Sequence, residues 1–119
     1  MSLDIDLYYE VDHKGDIKDE KDARLVVFDY NITHNLNKLG MALDCYEQIW
    51  RPEEIQAVYA KDIVEQLVLG LGKLVGKIES YKQYEPENGW GTIDGFKKFL
   101  TDYIDACTQY PNSKISCCR

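Results

Sequence analysis

Residues 24–36 read RLVVFDYNITHNL. Arg24 to Ile32 is rich in β-branched and aromatic side chains and reads as a strand. Thr33 has the chemistry of a helix N-cap, and beyond it the apolar period changes. Leu36, Leu39, Leu43, Tyr46 and Trp50 recur at spacings of three and four, the stripe of an amphipathic helix. A strand running straight into a helix decides for a mixed fold. Upstream, residues 3–12 alternate. Leu3, Ile5, Leu7, Tyr9 and Val11 take one face, and Asp4, Asp6, Tyr8, Glu10 and Asp12 take the other. His13-Lys14-Gly15-Asp16 carries turn chemistry, so the two strands are expected as an antiparallel hairpin.

Downstream, Arg51-Pro52 ends the first helix, because the residue before proline avoids the α region. Pro52 suits the first turn of the next helix, and Glu53 and Glu54 suit its N-terminus. This second helix is expected over 53–82, with Ile63, Leu67, Leu71, Leu74 and Ile78 as its stripe. Gly72 and Gly76 share one face of it, which predicts a close helix–helix approach there, or else a break. Residues 83–91 (QYEPENGWG) read as a loop. Thr92 or Asp94 caps a third helix carrying Phe96, Phe99, Leu100, Tyr103, Ile104 and Cys107, stopped at Tyr110-Pro111-Asn112. Lys114 to Cys118 reads as a short strand. The expected fold is α+β, in the order β-β-α-α-α-β, with the C-terminal strand joining the sheet of the hairpin. One domain spans 1–119: an acidic hairpin (1–33), a helical part (34–110) and the C-terminal strand (113–118).

Composition narrows the function classes. The chain has 119 residues, 45% apolar and 29% charged, with a net charge of −7. Direct nucleic-acid binding is not expected, because phosphate recognition needs clustered positive charge. No apolar run approaches the roughly 20 residues of a membrane span. Met1 to Asp6 has no basic n-region, so no secretory signal is read and a cytoplasmic location is expected. The four cysteines, Cys45, Cys107, Cys117 and Cys118, form no C-x-x-C pair and have only His13 and His34 as histidine company. Cys45 and Cys107 sit at core-like positions and read as buried small hydrophobes. No cofactor is implied. Residues 1–22 hold eight acids against three bases, a net −5 of the total −7. Such a segment keeps a hairpin soluble or docks on a basic partner.

Three clusters are candidates for binding. Asn31, Thr33, His34 and Asn35, with Asp29 nearby, crowd the strand-to-helix junction, where freed backbone N–H groups and the imidazole suit an anion. A metal held by Asp29, His34 and a third ligand is weighed against ordinary capping. Arg51, between Trp50 and Pro52, offers a guanidinium beside an aromatic plate. Asn88 and Trp90, in Asn88-Gly89-Trp90-Gly91, offer a ring in a glycine-flanked loop.

These same motifs, N-x-T-H-N-L at 31–36, W-R-P at 50–52 and N-G-W-G at 88–91, make the chain resemble a family of small, mostly uncharacterised bacterial and phage or prophage proteins. The resemblance covers roughly residues 29–118. It implies a bacterial or viral cytosolic setting and no particular chemistry. The function expected is a non-enzymatic binding module for a small anionic, nucleotide-like ligand. The alternative is an interaction or inhibitor protein that engages a host protein through its acidic hairpin. A small enzyme with His34 as base, oriented by Asp29 or Asn31, ranks third. A homodimer is open through the Gly72/Gly76 face.

Overall fold

The computed structural model describes residues 2–11, 23–86 and 91–119. The turn expected at 13–16 lies outside them. Strand β1 (Ser2–Val11) pairs antiparallel with β2 (Ala23–Thr33) on one side and with β3 (Lys114–Cys118) on the other. β1 is therefore the central strand, and the fold is α+β as expected. Leu3, Ile5 and Leu7 lie opposite Ile32, Tyr30 and Phe28. Ile5 and Leu7 also lie opposite Cys117 and Ile115. This face carries the core, and Leu3, Ile5 and Leu7 are wholly buried.

The ladder then slips. Leu7 pairs with Phe28 but Tyr8 pairs with Val26, which leaves Val27 as an extra residue in β2. A bulge of this kind changes which side chains share a face. It marks where the expected alternation fails: Tyr8 and Glu10, read as wet, are 7% and 3% exposed. The Arg24 guanidinium stands 4.2 Å over the Tyr8 ring, and Lys114 Nζ lies 3.4 Å from Glu10 Oε2. The cationic heads of Arg24 and Lys114 thus rest on these residues.

The helices pack on the core face. Helix α5 (Ile93–Gln109) is the longest, and Thr92 caps it by accepting from Gly95 N–H at 2.9 Å. Of the stripe expected from the sequence, Phe96, Phe99, Leu100, Tyr103 and Cys107 are buried and Ile104 is half-buried. Phe28 stacks on Tyr103 at 5.5 Å, and Tyr30 leans on Phe99 at 5.0 Å. These aromatic pairs tie β2 to the helix layer.

The two earlier helices differ from expectation. The first is split. Thr33 leads into a 3-10 turn (His34–Leu36), then α1 (Asn37–Ala42), then α2 (Tyr46–Trp50). The break falls at Asp44, whose φ of 59° is left-handed. Aspartate tolerates that region. The conformation is held from outside: Asp44 O accepts from Gln66 Nε2 at 2.9 Å, and its carboxylate pairs with Lys73 at 2.6 Å. The expected helix over 53–82 is also broken. A 3-10 turn (Pro52–Ile55) ends at Gln56, again left-handed with φ 56°. Residues 58–60 then run beside β3, where Ile115 N–H donates to Val58 O and Ala60 N–H to Ser113 O. These tertiary bonds outcompete helical ones. Helix α3 (Val64–Gly76) begins only after a further 3-10 turn, and α4 (Ile78–Tyr81) follows a break at Lys77.

The close approach expected at Gly72 and Gly76 is not there: a Cβ at either meets nothing within 4 Å. Tight positions include Gly70, where a Cβ would stand 3.1 Å from Cys45 Sγ, and Gly40, where it would stand 2.9 Å from Trp50 Cζ3. The α1–α2 corner is what lies against α3, so the glycine that faces it is Gly70. Among the described residues no helix is long and apolar enough to cross a membrane.

These contacts separate two outwardly similar substitutions. Gly40→Ala pushes a methyl into the buried indole and is expected to cost about 1–3 kcal/mol. Gly72→Ala meets open space and removes a helix-interior glycine, so it is expected to gain about 0.5–1 kcal/mol. Urea unfolding of both variants measures the difference. Equal effects would contradict the packing.

Candidate functional site

The β2-to-α1 junction is built around a buried indole. Trp50 is 1% exposed. It lies between Tyr46, stacked at 5.5 Å, and Phe96 at 6.5 Å, with Gly40 against its edge. A buried indole N–H needs an acceptor. Trp50 Nε1 donates to His34 Nδ1 at 3.1 Å. That bond fixes the imidazole tautomer: with Nδ1 accepting, a neutral His34 carries its proton on Nε2. Thr33 holds the turn by accepting from Asn35 N–H at 3.2 Å.

His34 lines a hollow of about 470 Å³. One wall is His34, Asn35, Asn37 and Lys38 from the turn and the start of α1. The other is Gln83, Tyr84, Glu85 and Pro86, from the 3-10 turn after α4 and the chain beyond. Glu85 is committed in part, since its Oε2 accepts from Ile93 N–H at 2.9 Å. Further along, Gly91 has φ 109° and lies where a Cβ would stand 2.9 Å from both Leu36 Cγ and Thr33 Cγ2. Asn88 and Trp90, expected in the site, lie outside the described residues.

The expected site residues do not all meet. Thr33, His34 and Asn35 stand together. Asn31 is on the opposite, open face of the sheet, donating to Ser2 Oγ at 3.0 Å and Asp4 Oδ1 at 2.6 Å. Arg51 reaches Tyr46 Oη and Glu54 Oε2, each at 3.5 Å, and lines neither this hollow nor the one on the sheet. Asp29 is on the open face, away from His34, and no cluster among the described residues has the makings of a metal site. The helix-terminus cradle is also reduced, since only a short 3-10 turn opens at His34 and Thr33 already takes the Asn35 N–H. Lys38, Asn37, Gln83 and Tyr84 were not anticipated. Lys38 is one turn beyond His34, the only hint the sequence carried. The opposite wall comes from a segment whose path local signals do not specify.

The second hollow, about 420 Å³, lies on the open sheet face among Asp4, Asp6, Asp29, Tyr30, Asn31 and Cys118. Partial burial raises the Asp6 pKa above the ordinary carboxylate value, and the charges of Asp29 and Asp4 raise it further, while Arg24 works against them. All four cysteines are free. Burial pushes the thiols of Cys45, Cys107 and Cys117 up to about 12, so they remain unreactive thiols. No protein-family model, no curated protein and no solved structure matches this chain.

The Asp6 shift has a definite sign. A carboxyl whose folded pKa is raised holds its proton more tightly folded than unfolded. Its contribution to stability is present at low pH and is lost as pH rises through the folded value. Asp6→Asn, neutral at every pH, is expected to melt higher than the parent chain at about pH 7 and alongside it at about pH 3. Thermal unfolding at the two pH values checks this. A variant less stable at neutral pH would show that the carboxylates do not strain the sheet.

Proposed function

We propose that this chain is a binding module for a small anionic ligand that carries a ring, of the nucleotide kind, held in the hollow between His34–Lys38 and Gln83–Pro86. The observation that carries this reading is the Trp50–His34 hydrogen bond. It leaves His34 Nε2–H as a fixed donor on the side of the ring away from the indole. Lys38 adds a cation, Asn35 and Asn37 add amides, and Tyr84 supplies a ring on the facing wall. Directed donors with one aromatic surface suit a phosphate or carboxylate joined to a heterocycle.

The same bond argues against a general-base role for His34. A catalytic base needs a partner that accepts from its far ring nitrogen, so that the near one is free to take a proton. Here the partner is a donor, and the nitrogen left over is protonated. Asp29 and Asn31, the expected orienting residues, lie on the other face of the sheet.

A second reading keeps the interaction protein. It is favoured by Asp4, Asp6 and Asp29 standing together on the open sheet face, a surface for a basic protein partner. The two readings separate by what binds and where.

Calorimetric titration with nucleoside monophosphates tests the first. Binding is expected, and His34→Ala and Lys38→Ala are each expected to weaken it by roughly tenfold, the loss of one charge-assisted hydrogen bond. Trp50→Phe keeps an aromatic ring but removes the N–H that orients His34 and leaves a void in the core. It is expected to weaken binding while costing about 2–3 kcal/mol of stability. No heat with any nucleotide, or binding indifferent to His34 and Lys38, would overturn the reading.

A further inference from the structure

The two edges of the sheet are not alike. The β3 edge is covered at its start by residues 58–60, through backbone bonds to Ser113 and Ile115 and a bridge from Tyr59 to Lys114. β2 is the outer strand on the other side. Among the described residues, no backbone group hydrogen-bonds along its free edge. A long uncovered edge is a template for another strand.

The charges on this edge are complementary to themselves. Arg24 lies opposite Glu10, and Asp29 lies opposite Asp6, so both stand on the open face of the sheet. An odd spacing such as theirs puts two side chains on opposite faces of a regular strand. The extra residue at Val27 brings them to the same face. By the same register Leu25, opposite Tyr9, and Phe28, opposite Leu7, share the helix-covered face. A second β2 laid antiparallel along the first sets Arg24 against Asp29 of the second copy and Leu25 against Phe28. Two-fold symmetry repeats each pair. The bulge then sits on the axis, with a stretch of ladder on either side. Leu25 and Val26, 52% and 47% exposed in the single chain, become covered.

We propose that the free edge of β2 is a self-association surface, on which two copies of this chain pair β2 to β2 in the Arg24–Asp29 register. The three-stranded sheet becomes six-stranded, and the His34 hollow stays open on each copy. The exposed apolar side of α3, with Val68, Leu69 and Val75 around Gly72, is the competing place for a second subunit. It carries no comparable charge pairing, and the test is arranged to separate the two.

Sedimentation velocity of the full chain over a range of concentrations reads the association directly, with circular dichroism confirming that each variant is folded. A dimer is expected. Arg24→Asp and Asp29→Arg each set like charges face to face, and each is expected to weaken the dimer roughly tenfold or more. The double variant Arg24→Asp/Asp29→Arg restores the pairing and recovers the dimer. Leu69→Glu leaves it unchanged. A chain that stays monomeric at every concentration overturns the proposal. So does a dimer that Leu69→Glu dissociates, or a folded double variant that fails to recover.

Discussion

A buried indole has one N–H to satisfy, and the centre of this molecule is arranged around how Trp50 does so. Its ring fills the space between α2 and α5, against Gly40 of α1 and in line with Phe96. Its N–H reaches His34 at the mouth of β2. Its backbone carbonyl accepts from Arg119, just beyond β3, which also pairs with Glu53. One side chain and its own backbone thus join the hairpin, the helices and the C-terminal strand. A polar group left unpaired at that depth costs more than the bond returns when made. The junction geometry is therefore narrowly specified, and the His34 tautomer follows from packing rather than from any charge nearby.

The second organising feature is the bulge at Val27. Below it, the sheet alternates as a half-buried antiparallel sheet should, with Leu3, Ile5 and Leu7 on the helices, Asp4 in water and Asp6 half-buried on the open face. Above it, Tyr8 and Glu10 are covered by Arg24 and Lys114. The open face is thereby divided: carboxylates gather at one end and cations lie over a tyrosine and a glutamate at the other. The division gives the β2 edge opposite charges along its length. Among the described residues, no backbone hydrogen bond covers that edge, while the chain between α2 and α3 runs beside the start of β3.

The candidate site was legible only in part, and particular residues show why. Thr33, His34 and Asn35 were readable because they are adjacent in sequence and sit where a strand ends and a turn begins. Asn31 is next to them in the chain yet faces the other way, since strand side chains alternate. Arg51 adjoins Trp50 in sequence, but α2 ends there and the guanidinium turns to Tyr46 and Glu54. The far wall, Gln83 to Pro86, has no sequence relation to His34. Only the folding of α3 and α4 back across the helix layer brings it there.

Local pattern by itself determined the elements whose apolar period is unbroken: the alternating β1, the β-branched β2, the capped α5 with its buried stripe, and the short β3. For these, the face that must leave water is written in the spacing of neighbouring residues, and burial enforces it. Tertiary structure decided the breaks at Asp44 and Gln56, the slip at Val27, the glycines that stand close to a neighbour, and the pairing of His34 with Trp50. Several of these depend on partners far along the chain, such as Gln66 and Lys73 for Asp44 or Ser113 and Ile115 for residues 58–60. A hydrogen bond to a distant group competes with the local helical one on nearly equal terms. Which of them forms is settled only when the whole chain has been packed.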